Sequence, residues 1–231
     1  MSIDIEVGIF LDRAEDEDDS YGFYAHYEEE FAAINAFLRS IGQPEHHEPL
    51  ELPNEKNVHL RTGFHRTGTS ELFPFKDVAW SLESHSSNWR FPQLDLIGES
   101  TIYLPRLFEG VLESSPYAGR NVRGFGSTYR LYEECRLLAK VLGIYDDLED
   151  DTNIYGMADF SRDPLVLLLE RELDLEKKER EIPLEQMRNL VLQWYPALAE
   201  NPWSVRGSGA CMSLYEATKF SVKHNAALVI H

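Results

Sequence analysis

The chain has 231 residues, of which 43% are hydrophobic and 12% aromatic, and this is enough apolar material for the core of one domain. It contains 40 acidic and 22 basic residues, and its formal net charge of −18 repels nucleic acid phosphates and anionic membranes. We therefore exclude nucleic acid and membranes as partners. We also expect a cytoplasmic protein, because the first residues contain neither a basic segment nor a long apolar run.

A strand and a helix are the first two elements that the sequence predicts. Residues 3–11 alternate between apolar and polar positions, which predicts a half-buried strand with Ile5 and Ile9 on the same face. Residues 23–41 predict a helix, because the apolar residues from Tyr27 to Ile41 recur at spacings of four and three. Gly42 should end this helix, since glycine accepts the left-handed conformation of a C-terminal cap.

The middle of the chain gives weaker signals. Residues 43–56 contain three prolines and no periodicity, which predicts a surface loop. Between residues 57 and 126 only three short stretches suggest strands, at 57–64, 77–82 and 94–104. The periodicity returns in residues 127–142, where Ser127 is expected to cap a helix and Gly143 to end it.

The last third of the sequence is predicted to be mainly helical. Asp163 and Pro164 suit the start of a helix, and two further helices are predicted at residues 184–195 and 210–224. Asn225 should cap the last helix before a closing strand at residues 226–230. These elements together predict a single α/β (α+β) domain over residues 1–231. Its mixed sheet would include the N- and C-terminal strands and be packed by about five helices.

Two segments concentrate the acidic residues. The first follows the predicted N-terminal strand and contains Glu15, Asp16, Glu17, Asp18 and Asp19. The second lies in the sequence GIYDDLEDDT and contains Asp146, Asp147, Glu149, Asp150 and Asp151. Its D-D-x-x-D spelling is typical of Mg²⁺-diphosphate enzymes, but the preceding helix should stop at Gly143 and no second acidic motif accompanies it. We therefore predict two exposed acidic loops, with no metal and no cofactor.

The remaining reactive side chains offer one alternative function. His59, His65 and His85, together with carboxylates from Asp146 to Asp150, could meet in one cleft and form a metal-assisted hydrolase. None of the histidines has the spacing of a known zinc motif. Cys135 and Cys211 fall within predicted helices, which indicates two buried thiols rather than a disulfide.

The absence of a catalytic motif and the strong negative charge favour a protein-binding role over an enzymatic one. We predict an acidic inhibitor or immunity-like protein that masks the positive site of a basic partner protein, with the two acidic segments at the interface. The carboxylates would take the place of phosphates and speed the encounter. A third possibility is a structural or regulatory subunit, in which Trp89, Trp194 or Trp203 marks an apolar interface.

Overall fold

A mixed β-sheet with helices on both faces forms the centre of the protein. The computed structural model describes residues 5–11, 23–50, 69–86, 89–97, 101–108, 125–145 and 184–230. Within them, the elements in chain order are β1 (Ile5–Val7), α1 (Phe23–Ser40), α2 (Thr69–His85), α3 (Pro92–Leu96), β2 (Thr101–Leu104), β3 (Phe125–Ser127), α4 (Thr128–Leu142), α5 (Leu184–Trp194), α6 (Gly207–His224) and β4 (Leu228–Ile230). Two short 3₁₀ helices, Pro196–Ala199 and Pro202–Ser204, connect α5 to α6.

The first and last strands of the described chain are neighbours in one sheet. The strand order is β1-β4-β2-β3, with Ile5 of β1 opposite Ile230 of β4. β4 is antiparallel to both β1 and β2, whereas β2 and β3 are parallel. The mixed sheet and its helices confirm the predicted α/β fold and the predicted placement of the terminal strands.

The sheet separates two hydrophobic clusters, because successive side chains of a strand point to opposite faces. In β2, Tyr103 joins a large cluster that also contains apolar residues of α2, α4, α5 and α6. Its neighbours Ile102 and Leu104 join a smaller cluster on the other face, where the apolar side of α1 packs. All four residues of β2 are buried, as expected for a strand that has a neighbour on each side.

β1 is shorter than the sequence predicts, and the reason is a turn at Gly8. This glycine has φ +77°, and its N–H donates to the carbonyl of Ala227 just before β4. The turn interrupts the predicted alternation, so Ile5 and Ile9 lie in different hydrophobic clusters rather than on one face. The prediction of a single strand over residues 3–11 is therefore wrong beyond Val7.

The helix ends that the sequence predicted are confirmed where the structure describes them. The Ser127 hydroxyl accepts a hydrogen bond from the Arg130 N–H at 3.3 Å and so caps α4. Gly143 ends the same helix at φ +83°, and Gly42 follows α1 at φ +73°. Asn225 caps α6 at φ 51°, a left-handed conformation that asparagine tolerates better than most residues.

Residues 77–82 are helical, which corrects the strand suggested for them. They belong to α2, whose buried residues recur at helical spacing: Leu72, Phe75, Val78, Ala79 and Leu82. Pro74 lies within this helix near its N-terminal end. The stretch 94–104 also divides into two elements, since its first three residues complete α3 and its last four form β2.

Some predictions concern residues that the structure does not describe. The strand suggested at 57–64 and the helix expected after Pro164 lie outside the described residues. Among the later elements, α6 begins three residues earlier than predicted, at Gly207, and β4 begins two residues later, at Leu228. The assignment of the whole chain to one domain stays a prediction.

Candidate acidic surfaces

Both predicted acidic segments, Glu15–Asp19 and Asp146–Asp151, lie outside the described residues. Their contribution to the charge is nevertheless fixed by the sequence. Of the 40 acidic and 22 basic residues, the described ranges contain 15 and 11, which is an acidic excess of four. The rest of the chain contains 25 and 11, an excess of fourteen. Most of the negative charge therefore belongs to the segments that include the two predicted sites.

Two of the described carboxylates, those of Glu134 and Glu48, are buried and stabilise the fold through hydrogen bonds to backbone N–H groups. Glu134 of α4 accepts hydrogen bonds from the N–H groups of Gln93 and Leu94, at 3.0 and 2.9 Å, and so caps the first turn of α3. Glu48 lies in the segment after α1, and its Oε2 is 2.6 Å from His46 Nε2. The same oxygen accepts from the Ala227 N–H at 2.8 Å. Neither carboxylate is available to a partner.

Three further carboxylates are close to basic side chains. The Glu45 carboxylate is 3.2 Å from the Arg39 guanidinium and that of Glu216 is 3.6 Å from the Lys219 ammonium. Glu133 and Arg136 are 4.0 Å apart on one face of α4. The first two pairs include an exposed or partly exposed side chain, the third is half-buried, and all three locally reduce the negative charge. In the exposed pairs the attraction is weak and is screened by salt.

A first acidic surface forms at the second turn of α1. Glu28 and Glu29 are exposed there, and Glu30 is buried beside Tyr27. The pKa of Tyr27 is raised well above its ordinary value, mainly by burial and further by the negative charges of Glu6 and Glu30. The charge of Glu6 on β1 therefore reaches the same tyrosine as the charge of Glu30 on α1 and adds to this acidic surface. In the sequence, α1 begins four residues after Asp19.

A second acidic surface lies where α2 meets α3. Asp77 and Asp95 are exposed, and their charges oppose the lowering of the Lys76 pKa, which burial causes. Glu83 is close to Asp95 as well: its pKa is raised first by burial, with a further contribution from the Asp95 charge. Trp80 stands among these groups and donates its indole Nε1–H to Asp95 Oδ1.

Sequence reasoning missed this second surface. The strand suggested for residues 77–82 places Asp77 and Trp80 on opposite faces, whereas the helix places them on one face. The signal that could have found it is the spacing of the buried residues in α2, which leaves Phe73, Asp77 and Trp80 together on the opposite face.

The described residues do not gather the groups that a metal-dependent enzyme requires. Within the ranges given above, no three or more His, Cys, Asp or Glu side chains are placed to hold a metal ion. His85 is exposed at the end of α2, where its ring lies 5.1 Å from that of Trp194. His59, His65 and the carboxylates of Asp146–Asp150 lie outside the described residues, so the hydrolase alternative stays untested.

The cysteines and tryptophans are placed as follows. Cys135 and Cys211 are buried free thiols, which confirms the prediction, and burial raises the pKa of both. Of the tryptophans named for an apolar interface, Trp89 is buried, Trp194 is half-buried and Trp203 is 45% exposed. Trp203 alone among these three has a large exposed area.

Comparison with known proteins connects the chain to one family. The model of the family described as "Putative DNA-mimic protein" matches residues 94–230, more than half of the chain. No curated protein and no solved structure matches it. Among the described residues, no helix is both long and apolar enough to cross a membrane.

The family match corrects the predicted partners. The negative charge led us to exclude nucleic acid from the function and to expect a basic protein of unspecified kind. The description of the family contradicts that exclusion, because a protein that imitates DNA acts where nucleic acid would otherwise bind. The repulsion of nucleic acid by the charge was correct physics, but it does not exclude a role that depends on resembling nucleic acid.

Proposed function

The chain belongs to this family of DNA mimics, and we propose that it binds a DNA-binding protein at the surface that would otherwise hold DNA. The observation that best supports this proposal is the family match together with the net charge of −18. DNA-binding proteins hold the duplex largely through arginine and lysine contacts to phosphates, whatever the base sequence. A protein that presents carboxylates to the same side chains competes directly with DNA. The function is binding and inhibition rather than catalysis.

The density of carboxylates in the acidic segments supports their role in this imitation. Duplex DNA carries one negative charge for about every 1.7 Å of its axis. Glu15–Asp19 provides five carboxylates in five consecutive residues, and Asp146–Asp151 provides five in six. We propose that both segments contact the partner, and that Glu28 and Glu29, exposed on the second turn of α1, extend the first of them.

The first experiment tests competition with DNA. The protein is immobilised and incubated with lysate of its native organism, and bound proteins are released with a 20-base-pair duplex. A released protein is purified, bound to the same duplex carrying a fluorescent label, and titrated with the unlabelled acidic protein. We expect a loss of fluorescence anisotropy as the duplex is displaced, and we expect both the duplex and the acidic protein, measured separately, to bind the released protein more weakly at higher salt. A ternary complex in which the duplex stays bound would contradict the proposal.

A matched pair of variants then tests the first acidic segment. In one variant Glu15, Asp16, Glu17, Asp18 and Asp19 are replaced by the corresponding amides. In the control, five other acidic residues are replaced in the same way: Glu170, Glu172, Asp174, Glu176 and Glu179. Both variants lose five negative charges. We expect the first to compete at least about tenfold less well and the control less than about threefold, because close charge pairs contribute more than distant charge. Equal losses would show that net charge, not this segment, determines binding.

A further inference from the structure

One face of α2 exposes two large aromatic side chains together with a carboxylate. Phe73 is 51% exposed and Trp80 is 46% exposed, and exposed Asp77 lies between them on the same helical face. Phe73 and Trp80 are seven residues apart, which corresponds to about 10 Å along a helix. Asp95 of α3 borders this face and accepts the Trp80 Nε1–H. We call these four residues the α2 surface.

Trp80 is held in one orientation before any partner binds. Its Nε1–H is fixed by Asp95, and the Lys76 ammonium lies 4.8 Å from the ring centroid. Lys76 is itself buried and donates to the carbonyl of Ile97. An aromatic ring that is already immobilised loses little conformational entropy on binding, which is why such residues dominate many interfaces.

The chemistry of the α2 surface selects a cationic partner. Asp77 and Asp95 are exposed carboxylates, and half-buried Glu83 is near Asp95: burial raises the pKa of Glu83 first, and the Asp95 charge adds to this. A guanidinium group can stack on an aromatic ring while it pairs with a carboxylate, and arginine does this better than lysine. The contact between Lys76 and Trp80 already shows the ring next to a cation within this protein. A second copy of the same chain, with its own charge of −18, is a poor match.

We propose that the α2 surface binds arginine side chains on the DNA-binding surface of the partner protein. Asp77 and Asp95 would occupy the places of phosphates, and the rings of Phe73 and Trp80 would stack on guanidinium groups. This inference rests on the proposed function and adds a second, aromatic component to it. It also assigns partner contact to a helix outside the residues 94–230 that define the family match.

The test uses an eight-residue arginine peptide as the probe and the full chain at 0.15 M salt. Indole N–H signals are followed by nuclear magnetic resonance, and the Trp80 signal is assigned from its loss in Trp80→Phe. We expect the Trp80 signal to shift most, and an eight-residue lysine peptide to bind about three- to tenfold more weakly. Larger shifts at the other indoles, or equal binding of the two peptides, would overturn the proposal.

A matched pair of variants separates this surface from general negative charge. Asp77→Asn with Asp95→Asn removes two carboxylates from the α2 surface, and asparagine can still accept the indole hydrogen bond. Glu185→Gln with Glu200→Gln removes two exposed carboxylates elsewhere. We expect about tenfold weaker peptide binding in the first variant and less than twofold in the second, with unchanged circular dichroism in both. Equal effects of the two variants would overturn the proposal.

Two further outcomes separate this inference from the proposed function. If the α2-surface variant still displaces labelled duplex from the partner as well as the wild type does, the inference fails and the proposed function stands. If the wild type never displaces duplex, the proposed function fails, whatever the peptide shows. A chain that is dimeric in sedimentation and becomes monomeric in Phe73→Ser would identify the surface as a contact between copies and overturn the inference.

Discussion

At the scale of single residues, a buried histidine–glutamate pair fastens the segment after α1 to the sheet. The side chains of His46 and Glu48 are 0% and 3% exposed. Asn35 of α1 bonds both the N–H and the carbonyl of His46, at 2.7 and 2.9 Å. Glu48 accepts from the Ala227 N–H next to β4. Burial raises the pKa of Glu48, and the contact with His46 opposes this rise. The pair therefore connects a helix, a connecting segment and a strand.

We predict that His46→Ala lowers the free energy of unfolding by about 3–5 kcal/mol, because it leaves a buried carboxylate without its partner. The double variant His46→Ala with Glu48→Gln should recover at least about 1 kcal/mol, since a neutral amide still accepts from the Ala227 N–H. Urea unfolding of the three proteins measures both values. Equal stabilities of the single and double variants would show that the buried charge is not the cause.

The same pair of variants gives a pH dependence of known sign. The pKa of Glu48 is raised in the folded state, so the folded protein binds this proton more tightly than the unfolded chain. Stability from this group is therefore highest at low pH and is lost as the pH rises above the ordinary glutamate value of about 4.3. The gap between His46→Ala and the double variant should be smaller at pH 5 than at pH 8. A gap independent of pH would contradict this assignment.

At the scale of elements, a carboxylate on one helix supports the start of another. Glu134 of α4 accepts from two buried N–H groups at the N-terminus of α3, those of Gln93 and Leu94. Glu134→Ala leaves both donors without this acceptor, and we predict a loss of about 2–5 kcal/mol, since each unsatisfied buried donor costs about 1–3 kcal/mol. Urea unfolding measures the loss, and hydrogen exchange at the two amides locates it.

The adjacent residue supplies the control for that prediction. Glu133 lies on the same helix but is half-buried and faces Arg136 at 4.0 Å, a distance at which surface pairs contribute less than about 1 kcal/mol. Glu133→Ala should therefore be far less destabilising than Glu134→Ala. Similar losses in both would mean that the sensitivity belongs to α4 as a whole and not to the cap of α3.

Elements whose signals are local in the sequence were predictable, and elements decided by tertiary contacts were not. The caps of α4 at Ser127 and Gly143 need only neighbouring residues, so their positions were correct. β3 has three residues and includes Gly126, and its identity depends on pairing with β2. α2 was missed because short apolar runs fit either a helix or a strand until the buried face is known. Burial of Leu72, Phe75 and Val78 against the rest of the fold resolves that ambiguity.

The candidate surfaces also differ in whether a local signal in the sequence predicts them. Glu15–Asp19 and Asp146–Asp151 stay predictions, and they rest on the rule that consecutive carboxylates cannot be packed together in a core. The α2 surface requires Asp95, which is fifteen residues from Trp80 and lies on another helix. The sequence contains no local signal for that contact. Composition therefore indicated the acidic character, whereas the aromatic component depends on the fold.

At the scale of the whole molecule, the part of the chain that matches the family has the smaller excess of acidic residues. Residues 94–230 contain 22 acidic and 15 basic residues, whereas the 93 residues before them contain 18 and 7. These earlier residues also include β1, which pairs with β4, and α1, which covers one face of the sheet. The segment that completes the described core thus also has the larger charge excess. Both parts therefore contribute to the fold and to the charge on which the proposed function rests.

The interior of the molecule predicts its behaviour in alkali. Burial raises the pKa of Tyr27, Tyr103, Tyr129, Cys135 and Cys211. In the unfolded chain these groups should ionise near their ordinary pKa values, about 10 for tyrosine and 8.5 for cysteine. Above those values the folded state retains protons that the unfolded state releases. The free energy of unfolding must then fall as the pH rises, by up to about 1.36 kcal/mol per pH unit for each group.

One buried base acts in the opposite direction. Burial lowers the pKa of Lys76 in the folded state, so between this lowered pKa and about pH 10.4 the unfolded chain holds a proton that the folded state has released. In that range the stability contributed by Lys76 rises with pH. A single lysine cannot offset five acidic groups, so we expect a net fall that begins near pH 8.5 and steepens above pH 10. Urea unfolding between pH 7 and 10.5 measures this fall in stability.

Tyr129→Phe should make the decline in stability above pH 10 shallower, because it removes a phenol whose pKa is raised by burial. A stability that stays constant to pH 10.5 would mean that these side chains are not buried as described.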